Sequence, residues 1–297
     1  MGKPILECDL LLAGGLHDPN LPVLEARAAS LGLTVKTCYH GPDTEPGLHW
    51  DLNQETLEID GAYIKARAGF LRYDVFSNPN TPSSNALDRA HGWYATLAGW
   101  FSDQAQLRVF NREHSLAATN KTTFIAMARR FGLPIPTTYI TNSKSHIDPS
   151  SVIKPVGGGA YCRDYSDLVS ETEWLNGKAP MPVFAQERLS YPEFRVFIIG
   201  EESAVFRVNS EALDHRSSHK SETVYLETLP EPLEGLMQKL FDFSSVIGLD
   251  FCAYDLKSAP DGSLRVLEVN SSPMFAAFDA IAAGDVSAKM LHELCGG

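Results

Sequence analysis

The chain lacks the marks of several protein classes. Its 297 residues hold five cysteines, Cys8, Cys38, Cys162, Cys252 and Cys295, an odd number with no CxxC spacing. That usage points to neither a disulfide framework nor a thiolate zinc site. No apolar run reaches membrane-spanning length. The opening Met1-Gly-Lys-Pro-Ile-Leu-Glu-Cys-Asp has no long apolar stretch of the secretory kind, and Leu6 stands where N-myristoylation needs Ser or Thr. A reducing cytoplasm, with no membrane partner, is the expectation. Positive charge is scarce: 25 Lys and Arg against 37 Asp and Glu give a net charge of −12, which argues against a general nucleic-acid partner. Internal repeats and low-complexity segments are absent. So is a Walker A loop, and Ala13-Gly14-Gly15-Leu16 leads into His17-Asp18-Pro19 rather than a GxGxxG-opened helix.

What is present is ordinary for a globular protein, with 44% hydrophobic and 21% charged residues. The length allows one large domain or two to three small ones. Apolar runs at Ile5–Ala13 and Leu33–Cys38 flank a helix over Pro22–Leu31, the order of a parallel α/β unit. Ala62–Arg67 and Arg108–Phe110 read as strands. Asp88–Ser102 reads as a helix with Trp93, Leu97, Trp100 and Phe101 along one face. A new pattern starts near residue 112, with a helix over Leu116–Phe131 closed by Gly132. Strands follow at Thr138–Thr141, Ser151–Lys154, Val183–Gln186 and Phe194–Ile199, with a return strand over Glu202–Ser210. Pro232–Val246 and Val286–Leu294 read as helices.

The chemistry concentrates toward the C-terminal end. Gly248–Lys257 and Val266–Pro273 read as two strands joined by a turn at Pro260-Asp261-Gly262. Glu268 and Asn270 are two apart and so share a strand face, onto which Asp255 of the preceding strand can converge. Two carboxylates and an amide are the oxygen donors that Mg²⁺ takes. Lys154 ends a strand just before Gly157-Gly158-Gly159, a place suited to phosphates. Lys121 lies early in its helix, where a cation opposes the helix dipole unless an anion compensates. Gln186-Glu187-Arg188-Leu189 ends an apolar strand with groups able to pair with an adenine edge. Arg195 lies in an apolar strand, Arg207 in the returning one, and Arg216 in Asp214-His-Arg-Ser-Ser218; arginines so placed need anions. The ordinary alternatives are a surface lysine, a solvated strand end, and salt bridges to Glu193 or Asp214. His215 and His219, at i and i+4, lack a third zinc ligand, and their segment reads as a loop over the site. Lys65, Arg67 and Arg72 offer cationic groups for an acidic peptide or carboxylate.

Taken together, Lys121, Lys154, Gln186-Glu187, Arg195, Arg207, Arg216 and Asp255/Glu268/Asn270 resemble the ATP-grasp superfamily over residues 112–275. The Glu-Val-Asn-Ser-Ser-Pro segment resembles the RimK-like ligases. Asn111, Asn120-Lys121 and the run Phe131–Asn142 resemble their microviridin-type (graspetide) members, which join side chains of ribosomal precursor peptides. The resemblance implies an α/β pre-ATP-grasp domain over 1–112, a central α+β lobe over 113–190 and a C-terminal α+β lobe over 191–297, the two lobes clamping ATP. It implies ATP contacts from Lys121, Lys154, Gln186, Glu187, Arg188, Leu189, Glu193 and Arg195. Asp255, Glu268 and Asn270 would hold two Mg²⁺ ions, with Mn²⁺ an alternative. Arg207 and Arg216 would clamp an acyl phosphate. The implied reaction is ATP-dependent joining of a carboxylate to an amine or hydroxyl on a peptide, with ADP and phosphate released, as in the maturation of ribosomally made peptides. Ligation of free amino acids or small metabolites is the second reading, and a nucleotide-binding regulator with little turnover the third. Homodimers or homotetramers are implied as oligomers. Two departures from the family pattern stand out: the irregular run after Lys154, and a slightly long connection from Asp255 to Glu268.

Overall fold

The computed structural model describes residues 3–42, 44–76, 86–157, 162–210 and 222–296. They fall into two units, Met1–Arg112 with Met274–Gly297, and Glu113–Pro273. The first opens with β1 (Ile5–Gly15), α1 (Asn20–Ser30) and β2 (Val35–His40). It continues with β3 (Leu48–Asp51), β4 (Thr56–Ile59), β5 (Ala62–Leu71), α2 (Ala86–Asp103) and β6 (Arg108–Val109). The sheet order is β2-β1-β5-β4-β3, with β6 also beside β5. β1 is parallel to both β2 and β5. A strand covered on both faces needs a continuous apolar run, and Leu10, Leu11, Leu12 and Ala13 are all fully buried. The expected strand–helix–strand order is found. The antiparallel hairpin β3–β4 is an addition, carried by runs too short and polar to stand out.

In the second unit the expected helix over Leu116–Phe131 is two pieces. A short 3-10 turn covers Leu116–Ala118, and α3 (Lys121–Phe131) starts afresh. Asn120 is the reason: it is extended, and its side-chain carbonyl accepts the Thr123 N–H at 2.9 Å, satisfying a donor that a continuous helix would have bonded internally. β7 (Thr138–Ser143), β8 (Val152–Pro155), β9 (Arg163–Asp164), α4 (Tyr165–Glu171) and β10 (Lys178–Gln186) follow. They form a four-stranded sheet of order β7-β10-β8-β9. One face packs Ile153 and Ala185 with Leu168 of α4.

β11 (Ser190–Ile199), β12 (Glu202–Asn209), β13 (Glu222–Tyr225), α5 (Glu231–Ile247), β14 (Phe251–Ser258) and β15 (Leu264–Asn270) complete the unit, in sheet order β13-β12-β11-β14-β15. α5 buries Leu233, Leu236, Met237, Leu240, Phe243 and Ile247 on one side, in a core shared with Phe124 and Ile125 of α3 and Phe194, Tyr254 and Leu256 of the sheet. It ends at Gly248, in left-handed conformation at φ 74°, where a Cβ would lie 2.0 Å from the Glu113 carbonyl oxygen. No other residue fits there.

The chain then returns to the first unit through α6 (Ala276–Ile281) and α7 (Asp285–Cys295). The reading that ran the third portion through residue 297 therefore differs from the observed grouping at 274. The physical reason is local: α7 packs against α1, β5 and β6, and the buried Asn20 accepts the N–H groups of Phe275 at 2.7 Å and Ala276 at 2.9 Å. No helix among the described residues is long and apolar enough to cross a membrane.

Candidate nucleotide and metal site

The turn at Pro260–Gly262 forms as its residues dictate. Gly262 is left-handed at φ 81°, and Asp261 accepts the Ser263 N–H at 3.0 Å. The strands it joins pair Asp255 with Glu268 and Ala253 with Asn270. Between Asp255 and Leu256 the register slips, so that Leu256 opposes Val266 and Leu267 is the extra residue. This bulge decides the site. Val266 and Leu256 lie on the face carrying the core, and regular alternation would place Glu268 there too. The extra residue reverses the parity, bringing Glu268 and Asn270 onto the face of Asp255. The connection that looked long in the sequence is long for this purpose.

The three residues do converge. Asn270 Nδ2 donates to Asp255 Oδ2 at 3.2 Å, so the amide carbonyl is the atom that could take a cation. Among the described residues no cluster of three or more His, Cys, Asp or Glu forms a metal site; the donor set here is two carboxylates and an amide. All its ligating atoms are oxygens, which fits a hard divalent cation such as Mg²⁺ and not a thiolate-preferring metal.

Three cations from three different elements meet acids on this face. Lys121, the first residue of α3, donates to Glu268 Oε2 at 2.6 Å. Arg195 on β11 donates from one guanidinium nitrogen to both Asp255 oxygens, at 2.9 and 3.2 Å. Lys257 on β14 lies 3.4 Å from Glu193 and 4.1 Å from the centre of the Tyr191 ring. Glu193 and Lys257 are nearly buried, whereas Lys121 and Glu268 keep 42% and 28% of their side chains exposed. Lys257 was missed in the sequence, although its i+2 spacing from Asp255 puts it on the same strand face.

The remaining candidates divide. Lys154 opposes Phe184 across β8–β10, and Phe184 lies in the core away from α4, so Lys154 is on the sheet face that α4 does not cover. Gln186 is buried and donates to Thr138 Oγ1 at 2.9 Å. Glu187 donates its backbone N–H to Thr137 and lies 3.4 Å from Arg265, with one buried carboxylate oxygen that accepts no hydrogen bond. Arg188 pairs with Asp164, and Leu189 is half-buried. Arg207 opposes Phe194, whereas Arg195 opposes Phe206. Arg207 is therefore exposed on the face opposite to Asp255, Glu268 and Asn270, because strand neighbours alternate. Arg216, His215, His219, Gly158 and Gly159 lie outside the described residues. Lys65, Arg67 and Arg72, considered for an acidic peptide, instead pair with Glu7, Asp9 and Asp18.

No protein-family model and no curated protein matches this chain. Solved structures do. The ATP-grasp ligase PsnB, in complex with a minimal precursor, Mg and ADP, superposes at a TM-score of 0.75 with 21% identity, over 96% of this chain and 97% of that one. This chain has the ATP-grasp fold. The macrocyclase MdnC bound with precursor peptide MdnA from Microcystis aeruginosa MRC gives a TM-score of 0.73 at 17% identity, covering 97% and 99% of the two chains. A RimK domain ATP-grasp protein from Sphaerobacter thermophilus DSM 20745 gives 0.59 at 14% identity, covering 96% and 98%. The ATP-grasp fold accounts for the two sheets of the second unit and the α/β unit before them.

Proposed function

We propose that the protein is an ATP-dependent ligase that activates a carboxylate as an acyl phosphate and joins it to an amine or hydroxyl of a peptide. The observation that carries this reading is the convergence of Asp255, Glu268 and Asn270 on one sheet face beside Lys121 and Arg195. Two carboxylates and an amide fit Mg²⁺, which when bound neutralises and orients phosphate oxygens; two ions are proposed. Lys121 and Lys154 would hold the phosphates, the strand end Gln186–Leu189 the adenine, and Glu193 the ribose.

In the first step a substrate carboxylate oxygen attacks the γ-phosphorus and the bond to the β-phosphate oxygen breaks, releasing ADP. In the second, an amine or hydroxyl attacks the activated carbonyl and phosphate leaves, the nucleophile losing a proton. The protein's part is to position reactants and offset charge. Arg195 fixes Asp255, and Arg216 is assigned to the transferring group. The peptide substrate is proposed from PsnB and MdnC, both of which were solved with precursor peptides. The test is ADP release screened across acidic precursor peptides and free amino acids, with Glu268→Gln as control. Peptide-dependent ADP release that Glu268→Gln lowers at least about a hundredfold is expected, since the variant removes a charge from the metal site. Normal turnover in Glu268→Gln would sink the metal assignment, and release driven only by free amino acids would move the substrate to that class.

A further inference from the structure

We propose that Lys121 is a latch on the metal carboxylate, which makes the divalent cation and the nucleotide bind interdependently, each poorly without the other. The proposal rests on the reading of this site as a magnesium–nucleotide site. The Lys121 ammonium lies 2.6 Å from Glu268 Oε2, occupying the oxygen that a cation would take. Its backbone is fixed, because Asn120 caps α3 through the Thr123 N–H and also accepts from the Thr122 and Thr123 hydroxyls at 2.6 and 3.1 Å. Glu268 is fixed in turn by its pairing opposite Asp255. A lysine at the first position of a helix opposes the helix dipole, and Glu268 is the anion that offsets it. The contact is thus built from both sides. It is still half-exposed, so it can open, and the four-carbon lysine stem lets the ammonium swing.

Charge makes the linkage. Glu268 and Asp255 already lie against Lys121 and Arg195. A cation arriving alone must displace Lys121 from Glu268. A nucleotide arriving alone draws Lys121 to its phosphates and leaves Glu268 facing an anion. The two together give both Lys121 and Glu268 a counter-charge, so each raises the affinity for the other by the same factor.

The test titrates the full chain with Mn²⁺, with and without ADP, reading free metal by electron paramagnetic resonance against matched protein-free titrations that account for the Mn²⁺ held by ADP itself. Wild type is compared with Lys121→Met, which keeps the apolar stem, and with Lys154→Met; thermal melting confirms that each is folded. Lys121→Met should bind Mn²⁺ alone about two- to fivefold more tightly than wild type, the range that breaking a half-exposed ion pair can supply. ADP should then tighten its metal binding less than in wild type. Lys154→Met should lose ADP affinity yet bind Mn²⁺ alone as wild type does. Unchanged or weaker metal binding by Lys121→Met overturns the latch, as does an equal gain in Lys154→Met, which would reduce the effect to general charge. Absence of any ADP-linked Mn²⁺ binding in wild type overturns the nucleotide reading itself, a failure seen before any variant is compared.

Discussion

Each unit carries an ion pair between segments far apart in sequence, and the two pairs differ in burial. In the first unit Arg72 meets Asp18 at 2.5 Å with side chains 3% and 0% exposed. Asn20 adds a bond to Asp18 Oδ1 at 2.6 Å, and the Met274 sulfur accepts from Asn20 and Arg72, both at 3.0 Å. In the second unit Lys121 meets Glu268 at 2.6 Å with 42% and 28% exposed. The contact lengths are nearly equal. Water decides the difference: a buried pair cannot be released without leaving a charge unsolvated, while a half-exposed one exchanges partners at little cost. The first is a fastening that holds α1 and the returning segment to the sheet. The second is a contact that a ligand can take over.

Asp18→Ala tests the fastening and carries the largest expected effect on stability. It removes the buried carboxylate that Arg72 pairs with and should cost about 3–5 kcal/mol in denaturant unfolding; a loss below about 1 kcal/mol would erase the contrast between the units. Lys154→Ala comes next. It should leave unfolding unchanged while weakening ATP binding by roughly tenfold to a hundredfold, the value of a charge-assisted hydrogen bond, as read by calorimetric titration. Unchanged affinity would return Lys154 to an ordinary strand-end lysine. The smallest effect is expected at Arg207. Because it stands on the face opposite Asp255, Arg207→Ala should lower ADP release less than Arg195→Ala, which removes the guanidinium from Asp255. The reverse order would mean that β12 turns its other face to the substrate.

Much of this was legible in the sequence because it rests on local patterns. The parallel unit announces itself through the apolar run Leu10–Ala13, which only a strand buried on both faces requires. The shared strand face of Glu268 and Asn270 follows from their i, i+2 spacing. Other features were hidden. The hairpin β3–β4 has strands of four residues each, too short to show a period. The break at Asn120 competes with an apolar pattern that runs across it, and only the capping geometry settles it. Arg207 looks equivalent to Arg195 in a list of strand arginines; the pairing register separates them.

The sequence by itself determined which oxygens and cations this protein brings to its chemistry, since side-chain type and two-residue spacing are local properties. Tertiary structure decided which of them meet. One extra residue at Leu267 turns Glu268 toward Asp255, and strand pairing sends Arg207 to the other face. Burial makes Arg72–Asp18 permanent and leaves Lys121–Glu268 open to exchange. Those outcomes depend on register and on access of water, and both arise only when distant segments pack.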